Sequence, residues 1–304
     1  MSAIISPDAP PIAPARRKLR RGRSGRGRSP LAMLLRYLIV GLALAFFLFP
    51  IVWIAGISIK LPADYLNDPP IWIPQEITFR HYQSVMAEKG WLALRNSLLI
   101  AGGATIISVL IGSIAAYSLA RFQTGGRHLG FWLLSQRMMP PVVLVVPFFL
   151  ILREAGKMNP RLGLDQQIPL ILIYAVFNLP YVIWTMRSYF RSVPAELEES
   201  AMLDGNSRLG ALFRITLPLA LPGLVATTTF AFIFSWTEFL FAVVFTRTNA
   251  VTLPVVISGF TGGQGSNWGR ACALSMVATV PVFILVLLLQ RHLVRGLTLG
   301  AVRG

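Results

Sequence analysis

The run YLIVGLALAFFLFPIVWIAGISI (Tyr37–Ile59) decides the fold class, because it holds 23 successive residues without a charged side chain. A helix needs about 20 predominantly apolar residues to cross the hydrocarbon core of a bilayer. The run is longer than the apolar region of a secretory signal peptide, and no small-residue cleavage pattern follows it. It therefore predicts a membrane-spanning helix rather than a signal peptide.

Five further stretches of similar length carry few or no charges. Each must be an α-helix, because backbone N–H and C=O groups in hydrocarbon find partners only within their own segment. The composition agrees, since 55% of the 304 residues are hydrophobic and only 13% are charged. The sequence thus predicts an all-α membrane protein with six transmembrane helices. The five further stretches are Asn96–Ala120, Leu129–Leu152 (interrupted by Arg137), Gln166–Met186, Ile215–Thr237 and Ala271–Gln290.

The third predicted span contains Pro140, Pro141 and Pro147, and the fourth contains Pro169 and Pro180. Proline lacks the backbone N–H that continues a helix, so it kinks a membrane helix and frees carbonyl groups. Such kinks suit a pathway with a polar interior, and they also occur in ordinary helix bundles.

The N-terminal segment is strongly basic, with eight lysines and arginines among residues 16–28. Its composition cannot form a packed core, so residues 1–33 are predicted to be a disordered cytoplasmic tail. We interpret the charge as attraction to anionic membrane lipid rather than to nucleic acid, because a long apolar span follows at once. With this end inside, the inner side carries about twice as many lysines and arginines as the outer loops, and the tail supplies half of that inner count. Both termini are therefore predicted to be cytoplasmic.

The sequence offers no metal or nucleotide site. Cys272 is the only cysteine, which excludes a disulfide framework and a cysteine-rich metal site. The three histidines, His81, His128 and His292, lie far apart. The glycine-rich stretch Gly259–Gly265 lacks the Gly-Lys-Ser/Thr of a phosphate-binding loop. We expect no cofactor in this chain and no catalytic residue.

The connection between the fourth and fifth spans carries the functional signal. It reads SVPAELEESAMLDG (Ser192–Gly205) and reaches ITLP at Ile215–Pro218. Pro194 suits the first turn of a helix, and the acidic residues after it suit the positive end of the helix dipole. Gly205 is typical of a helix end. The segment predicts two short amphipathic helices joined by a glycine elbow at the cytoplasmic membrane surface.

The same segment carries a family resemblance. Glu199-Ser200-Ala201, followed by Gly205 and Ile215–Pro218, resembles the EAA loop of ABC importer permeases, with serine at the second position where that loop has alanine. Two other stretches resemble carbohydrate-uptake permeases: NSLL with AAYSLARF (Asn96–Leu99 and Ala115–Phe122), and SWTEFLFA (Ser235–Ala242), which has threonine where asparagine is commoner. The C-terminal stretch GLTLGAVRG (Gly296–Gly304) resembles the end of the maltose-type G subunits of the same family.

The resemblance implies a type I importer fold over residues 34–304. It implies a permease subunit of an ATP-driven, binding-protein-dependent carbohydrate importer in the bacterial inner (plasma) membrane. The implied partners are a second, maltose-type F-like permease subunit, an ATPase dimer, an extracytoplasmic substrate-binding protein and membrane lipid. ATP and Mg belong to the partner ATPase, so this chain is expected to be a non-catalytic half of a heteromeric pore. The sequence does not identify the sugar.

Four groups of candidate site residues follow. The resemblance assigns ATPase coupling to the loop after the fourth span, ATPase contact to the C-terminal tail, and binding-protein contact to an outer loop. Polar and aromatic residues of two spans form a candidate substrate path, for which ordinary packing is the alternative. The coupling residues are Glu198, Glu199, Ser200, Ala201, Asp204 and Gly205, and the residues of the ATPase-contacting tail are Gly300, Ala301, Val302 and Arg303. The residues of the binding-protein loop are Gly262, Gly263 and Gln264, and those of the candidate substrate path are Asn178, Tyr181, Trp236 and Glu238.

Two charged residues, one within a predicted span and one directly after a predicted span, allow alternative interpretations. Glu238 is either a functional intramembrane carboxylate or a structural one hydrogen-bonded near the outer interface. Arg137 either lines a cavity or extends its side chain toward the inner surface. An ion-coupled secondary sugar transporter, with Glu238 as its coupling carboxylate, is the alternative function, but it gives no reason for the Glu199–Gly205 loop. A membrane enzyme or scaffold would need a convergent acid/base or metal constellation, and the sequence shows none.

Overall fold

The computed structural model describes residues 30–67, 69, 71–122, 124–261 and 267–298. Within these ranges every regular element is helical, which confirms the predicted all-α class. Most of the predicted basic tail precedes them, and Pro30 already begins the first helix. The α-helices are α1 (Pro30–Ser58), α2 (Pro62–Tyr65), α3 (Arg80–Val85), α4 (Trp91–Arg121), α5 (Gly126–Ser135), α6 (Val142–Met158), α7 (Gln167–Ser192), α8 (Ala195–Leu203), α9 (Arg208–Ala211), α10 (Leu217–Leu219), α11 (Leu221–Trp236), α12 (Leu240–Phe245), α13 (Leu253–Thr261) and α14 (Trp268–Thr298). Single turns of π-helix (Met86–Gly90, Leu212–Thr216) and of 3-10 helix (Gln136–Met138, Pro160–Leu162) connect some of them.

Four segments of the described chain are long and apolar enough to cross a membrane alone: Pro30–Ser58, Arg80–Arg121, Gln167–Ser192 and Trp268–Arg291. Two further crossings are helix pairs with a sharp bend, so the count reaches six when each pair is one span. The pairs correspond to the third and fifth predicted spans. The structure therefore agrees with the predicted six-span bundle and adds that two of its spans are broken.

Both bends lie at prolines. The helices on either side of Pro140 and Pro141 meet at 92°, and those on either side of Ala220 meet at 78°. Pro218 and Pro222 occupy the first turns of α10 and α11, where a missing N–H costs little. The crossing part of the fifth span therefore begins at Leu221 rather than at Ile215, and α11 has only 16 residues. At 1.5 Å per residue it covers about 24 Å, less than the roughly 30 Å of hydrocarbon.

The chain forms two compact units, Met1–Ile51 and Val52–Gly304. In the first, residues 30–51 form an apolar helix whose side chains are exposed. In the second, α4 and α7 lie side by side, and α11 packs on both of them and on α14. Val182, Met186 and Phe190 of α7 are fully buried in this packing. The helix pair α4–α7 is thus the centre of the second unit.

Gly112 marks a close contact between α4 and α7. A Cβ atom at this position would lie 2.6 Å from Cγ1 of Val182, a distance that real Cβ contacts do not reach. Small residues allow membrane helices to approach each other in this way, because little hydrophobic force holds helices together in lipid. Gly102 of the same helix has open space around it.

We predict that Gly112→Val destabilises the protein by about 1–3 kcal/mol, the usual cost of overpacking a close contact. Gly102→Val is the matched control, because the same side chain meets no neighbour there. Thermal unfolding in detergent should give a lower melting temperature for Gly112→Val only. Equal effects of the two substitutions would show that the α4–α7 contact is not tight.

Candidate functional site

The segment after the fourth span forms a helix and a left-handed turn. Pro194, with φ −55° and ψ 135°, precedes α8. Gly205 has φ +88°, a conformation that glycine adopts without the steric cost of a Cβ atom. The Gly205 N–H donates to the Met202 carbonyl at 3.1 Å, and the Asn206 N–H donates to the Ala201 carbonyl at 3.0 Å. This pair of bonds is the Schellman arrangement that ends many helices, and it fixes the backbone of the elbow.

The residues after the elbow support the turn from the other side. The Asn206 amide donates from Nδ2 to the Ala201 carbonyl at 3.1 Å and accepts from Nη1 of Arg214 at 2.8 Å. Ser207 caps α9, because its hydroxyl oxygen accepts from the Gly210 N–H at 3.1 Å. The two short helices are therefore held at one angle by side chains as well as by the backbone.

Glu198 attaches α8 to the membrane bundle, and it is only 6% exposed. Arg121 donates to its carboxylate from Nε at 2.8 Å, and Nη2 of the same guanidinium forms an ion pair with it at 2.7 Å. The Tyr117 hydroxyl donates at 2.9 Å, and the Thr216 hydroxyl donates to the same carboxylate. Arg121 also donates to the Val193 carbonyl at 3.0 Å. Bonds to an ionised carboxylate are stronger than neutral ones.

These bonds join three parts of the chain at one group. Tyr117 and Arg121 belong to the last two turns of α4, whereas Thr216 ends the π-turn before α10. Burial by itself would raise the pKa of Glu198, but the bonds from Arg121, Thr216 and Tyr117 outweigh it and hold the pKa below its ordinary value. The carboxylate is therefore ionised at neutral pH and ties α8 to the C-terminal end of α4 and to the turn before α10.

The structure divides the candidate coupling residues into two sets. Glu198 and Ala201 point inward and are buried, whereas Glu199, Ser200, Asp204 and Gly205 are exposed. Large apolar side chains next to the elbow are exposed as well, and they are Leu203 (89%), Leu209 (67%) and Phe213 (60%). One side of the segment is thus bonded to the bundle, and the other side leaves acidic and apolar groups exposed.

A recess of about 180 Å³ opens beside α8. Arg121 and Arg208 line one part of it, and Glu198 and Glu199 line another. The guanidinium of Arg208 lies 5.3 Å from the ring centre of Phe122, a cation–π distance. The recess is thus lined by charged side chains of both signs together with the aromatic rings of Tyr117 and Phe122.

Sequence reasoning missed the partners of Glu198: Tyr117, Arg121 and Thr216. Tyr117 and Arg121 are four residues apart and therefore share one helix face. Both lie in the stretch AAYSLARF that already resembled the family. A tyrosine and an arginine one turn apart at the inner end of a span were the available signal for a buried acidic partner.

A second cavity, of about 210 Å³, lies where the helices of the fourth and fifth spans meet the bent third span. Asn178 and Glu238 of the candidate substrate path line it, together with Tyr174. Oε1 of Glu238 accepts from the Phe241 N–H at 3.1 Å and so satisfies a backbone N–H in the first turn of α12. The carboxylate thus has a structural bond on one oxygen and faces the cavity beside it.

Tyr181 lies beside this cavity, in an aromatic cluster. Its ring centre is 5.2 Å from that of Phe234 and 6.3 Å from that of Phe230. The guanidinium of Arg137 lies 5.1 Å from the Tyr181 ring and 4.7 Å from the Phe234 ring. Because Phe234 also lines the cavity, Arg137 sits next to the cavity wall and over two aromatic faces.

Trp236, the fourth candidate of that path, lies elsewhere. It is 6% exposed and packs with Phe232, their ring planes 22° apart, in a cluster that includes Leu253 and Leu274. The candidates Gly262, Gly263 and Gln264 and the tail from Gly300 to Arg303 lie outside the described residues. In the part of the chain that is described, no three His, Cys, Asp or Glu side chains are grouped to hold a metal ion.

At the opposite end of α7 from Glu198, Asp165 organises a loop. It has a φ of 58°, and its carboxylate accepts from the backbone N–H groups of Arg247, Thr248, Asn249 and Ala250 at 2.9–3.2 Å. The Thr248 hydroxyl donates at 2.9 Å. Burial alone would raise the pKa of Asp165, but these donors lower it to about 2. The segment after α12 is thereby fixed to the start of the fourth span.

Comparison with known proteins gives a consistent result. The family model described as binding-protein-dependent transport system inner membrane component matches residues 108–299. The diacetylchitobiose uptake system permease protein DasC of Streptomyces coelicolor is 38% identical over 261 residues, which cover 84% of this chain and 92% of the relative. The trehalose transport system permease protein SugB of Mycobacterium tuberculosis is 38% identical over 288 residues, covering 92% and 100% of the two chains.

Solved structures share the fold. A chain from the crystal structure of a bacterial ABC transporter that imports the acidic polysaccharide alginate superposes with a TM-score of 0.71 at 24% identity, covering 89% of this chain and 99% of the other. A chain of the same kind of transporter, in complex with its alginate pentasaccharide-bound periplasmic protein, gives 0.61 at 18% identity, with coverages of 85% and 91%.

We predict that Asp165→Asn lowers the melting temperature at pH 7 and that the difference from wild type becomes clearly smaller at pH 3. The pKa of Asp165 in the folded protein, about 2, is below its ordinary value of 3.8. Its stabilisation is therefore present above about pH 4 and is lost as the pH falls toward 2. Thermal unfolding in detergent at pH 7, 5 and 3 measures this, with Glu76→Gln, an exposed site, as control. A difference that persists unchanged at pH 3 would contradict an ionised Asp165 as its source.

Proposed function

Because the chain belongs to the family of binding-protein-dependent transport system inner membrane components, we propose that it is a permease subunit of an ATP-driven carbohydrate importer. The relatives that are permeases for diacetylchitobiose and trehalose support the substrate class. In this role the chain supplies half of the pore, and a second permease subunit supplies the other half. An ATPase dimer binds ATP and Mg, and an extracytoplasmic binding protein delivers the sugar.

The observation that carries this proposal is the construction of α8 and its elbow. A segment that only connects two spans has no need of a buried carboxylate with three side-chain hydrogen bonds and an ion pair at its base. It also has no need to keep Leu203 89% exposed next to a rigid turn. Both features suit a helix that docks into a cleft of another protein and transmits its movement.

The contacts of Glu198 define how movement would reach the pore. Closure of the ATPase dimer displaces α8, and the Glu198 carboxylate carries that displacement to Arg121 at the end of α4 and to Thr216 before α10. The second and fifth spans then move with α8 rather than independently of it. The bundle needs only two arrangements that differ in their affinity for the sugar and for the ATPase states.

We extend the proposal to three regions that the sequence assigned. The residues Gly262, Gly263 and Gln264 contact the binding protein outside, and Gly300 to Arg303 contact the ATPase dimer inside. Both termini lie in the cytoplasm of a bacterium whose inner membrane holds the bundle. The basic N-terminal tail lies on anionic lipid and is not needed for transport.

The experiment is sugar uptake by the complete complex in proteoliposomes, with trehalose, diacetylchitobiose, maltose and sulfoquinovosyl glycerol as probes. Uptake should require ATP inside and the binding protein outside. A variant of the partner ATPase that binds but does not hydrolyse ATP should abolish it. Uptake that persists without ATP and follows an ion gradient would favour the ion-coupled alternative and refute the proposal.

We predict that Glu199→Lys and Gly205→Val impair coupling without impairing membrane insertion. Glu199 loses a polar contact of about 1–3 kcal/mol if docking buries it, so ATPase binding should weaken about fivefold or more. At the φ of Gly205 a valine adds about 1–2 kcal/mol of strain and changes the angle of the elbow. Co-purification of the ATPase and sugar-stimulated ATP hydrolysis should both fall. Glu76→Lys, the same charge reversal at an exposed site far along the chain, is the control, and wild-type coupling in both variants would refute the role of this loop.

We predict a different effect for Glu198→Gln, because Glu198 faces the bundle rather than the partner. Replacing a buried carboxylate beside Arg121 leaves that arginine with weaker acceptors, and charge-assisted bonds of this kind contribute about 1.5–3 kcal/mol. The isolated permease should therefore show faster proteolytic cleavage between α7 and α10. Glu199→Gln should leave the cleavage rate of the isolated permease unchanged. Equal rates for the two variants would contradict the division of the segment into an attached and a presented side.

A further inference from the structure

Arg187 lies near the end of α7 and carries a positive charge without a counter-charge. Its side chain is half-buried, and its Nε–H is enclosed by the protein without a hydrogen-bond acceptor. The same arginine is absent from the ion pairs among the described residues. Buried donors in proteins are nearly always satisfied, and a charged donor without a partner is especially costly. The guanidinium therefore indicates an acceptor that the described chain does not supply.

The helices around Arg187 offer no carboxylate. The guanidinium lies against Gly130 of α5, beside a narrow recess whose other walls come from α4 and α7. None of these three helices contains an aspartate or a glutamate. The next acidic residues along the chain belong to α8, and the buried one among them, Glu198, is already paired with Arg121. A bound molecule is therefore needed to balance the charge of Arg187.

The level of Arg187 in the bilayer follows from the length of α7. This helix has 26 residues and is about 39 Å long, which exceeds the roughly 30 Å of hydrocarbon. Arg187 precedes the last residue of the helix, Ser192, by five positions, a distance of about 7.5 Å along the axis. Trp184 lies one turn earlier and is 45% exposed, as is typical of tryptophan at a membrane interface. The arginine is therefore at the level of the lipid headgroups.

Three side chains follow one another along this face of α7. Trp184, Arg187 and Arg191 are spaced by three and by four residues, so they lie on successive turns of the same side. The guanidinium of Arg187 is 5.9 Å from the ring centre of Trp184, a cation–π distance. Arg191 is exposed, and it too is absent from the ion pairs among the described residues. An aromatic ring followed by two guanidinium groups matches the order of acyl chain and phosphate in a phospholipid.

The surroundings of the guanidinium favour a lipid over a free anion. A Cβ atom at Gly130 would lie 3.5 Å from Nη1 of Arg187, so the glycine leaves this edge of the guanidinium uncovered by a side chain. The recess beside it measures about 10 Å³, no more than the ~10–15 Å³ that one water molecule needs. A phosphate group must therefore bind at the mouth of the recess, where arginine offers two parallel N–H donors. The recess itself is lined by the apolar Leu133, Pro180 and Ile183, which suit an acyl chain rather than inorganic phosphate.

We propose that Arg187 and Arg191 bind the phosphodiester of an anionic glycerophospholipid, such as phosphatidylglycerol, at the end of α7 that leads into α8. Trp184 packs on the glycerol and the first part of the acyl chain. The bound lipid supplies the negative charge that α4, α5 and α7 lack. It lies where α5 meets α7 and therefore holds the first half of the bent third span against the fourth. The site is separate from the basic N-terminal tail, and it does not depend on which substrate is transported.

The test measures lipid binding to the complete transport complex, purified in detergent and depleted of lipid. Phosphatidylglycerol and phosphatidylcholine of equal chain length are added in turn, and native mass spectrometry counts the bound molecules. The wild-type complex should bind its first phosphatidylglycerol about tenfold more tightly than its first phosphatidylcholine. Arg187→Gln keeps N–H donors but removes the charge, so it should reduce this preference about fivefold. Arg161→Gln removes a charge before the opposite end of α7 and should leave the preference unchanged.

A photoreactive phosphatidylglycerol, with a diazirine close to its glycerol group, locates the site without a substitution. Illumination of proteoliposomes should label peptides that contain residues 126–135 and 180–191. Excess phosphatidylglycerol should remove the label, and excess phosphatidylcholine should not. Label confined to other peptides, those of the basic tail included, would overturn the proposal. This measurement also decides the matter if Arg187→Gln fails to insert into the membrane.

Three further results would count against a lipid at this place. An unchanged lipid preference in a correctly inserted Arg187→Gln variant would overturn the role of the arginine. Displacement of the labelled lipid by millimolar inorganic phosphate would show that the site takes a free anion. Labelling of residues 180–191 in the isolated permease but not in the complete complex would show that a partner subunit covers this face, and it would overturn the lipid site.

Discussion

A peptide group in the hydrocarbon of a bilayer finds hydrogen-bond partners only in its own protein, and this constraint shapes the whole bundle. It makes every described crossing segment helical, and it makes each interruption of a helix costly unless something satisfies the freed groups. The interruptions at Pro140–Pro141 and after Trp236 are therefore informative. At the interruption after Trp236, Oε1 of Glu238 accepts a hydrogen bond from the N–H of Phe241. A polar side chain thus replaces the backbone partner where α11 is too short to complete the crossing.

Two carboxylates at the ends of one helix perform a related task. α7 runs between Asp165 at one end and Glu198 just beyond the other. The carboxylate of Asp165 accepts hydrogen bonds from backbone N–H groups of the segment after α12. The carboxylate of Glu198 accepts hydrogen bonds from side chains of α4 and of the turn before α10. An ionised carboxylate suits both places, because it accepts several strong bonds at once. The connections on both sides of the bundle are therefore fixed relative to α7.

The same helix links the two candidate functional regions. Tyr174, Asn178 and Tyr181 lie on successive turns of α7, at the cavity or beside it, and the chain continues from α7 into Pro194 and α8. Gly112 of α4 packs directly against Val182 of α7. A displacement of α8 that reaches α4 through Arg121 therefore also reaches the helix that lines the cavity. The central helix pair thus connects the exposed segment around α8 physically to the helix that lines the cavity.

The sequence alone determined the fold class, because the length of an apolar run and its lack of charge are local properties. These two properties decide whether a segment can cross a bilayer. It also located the elbow at Gly205, since a positive φ favours glycine in any fold. Only the tertiary structure decided that Glu198 is buried and Glu199 exposed, because two adjacent glutamates differ solely in which face of α8 meets Arg121 and Tyr117. The same holds for Glu238 and Trp236, two residues apart in sequence. One reaches a cavity and the other an apolar cluster, because the helix ends between them and the direction of each side chain depends on neighbours distant in the chain.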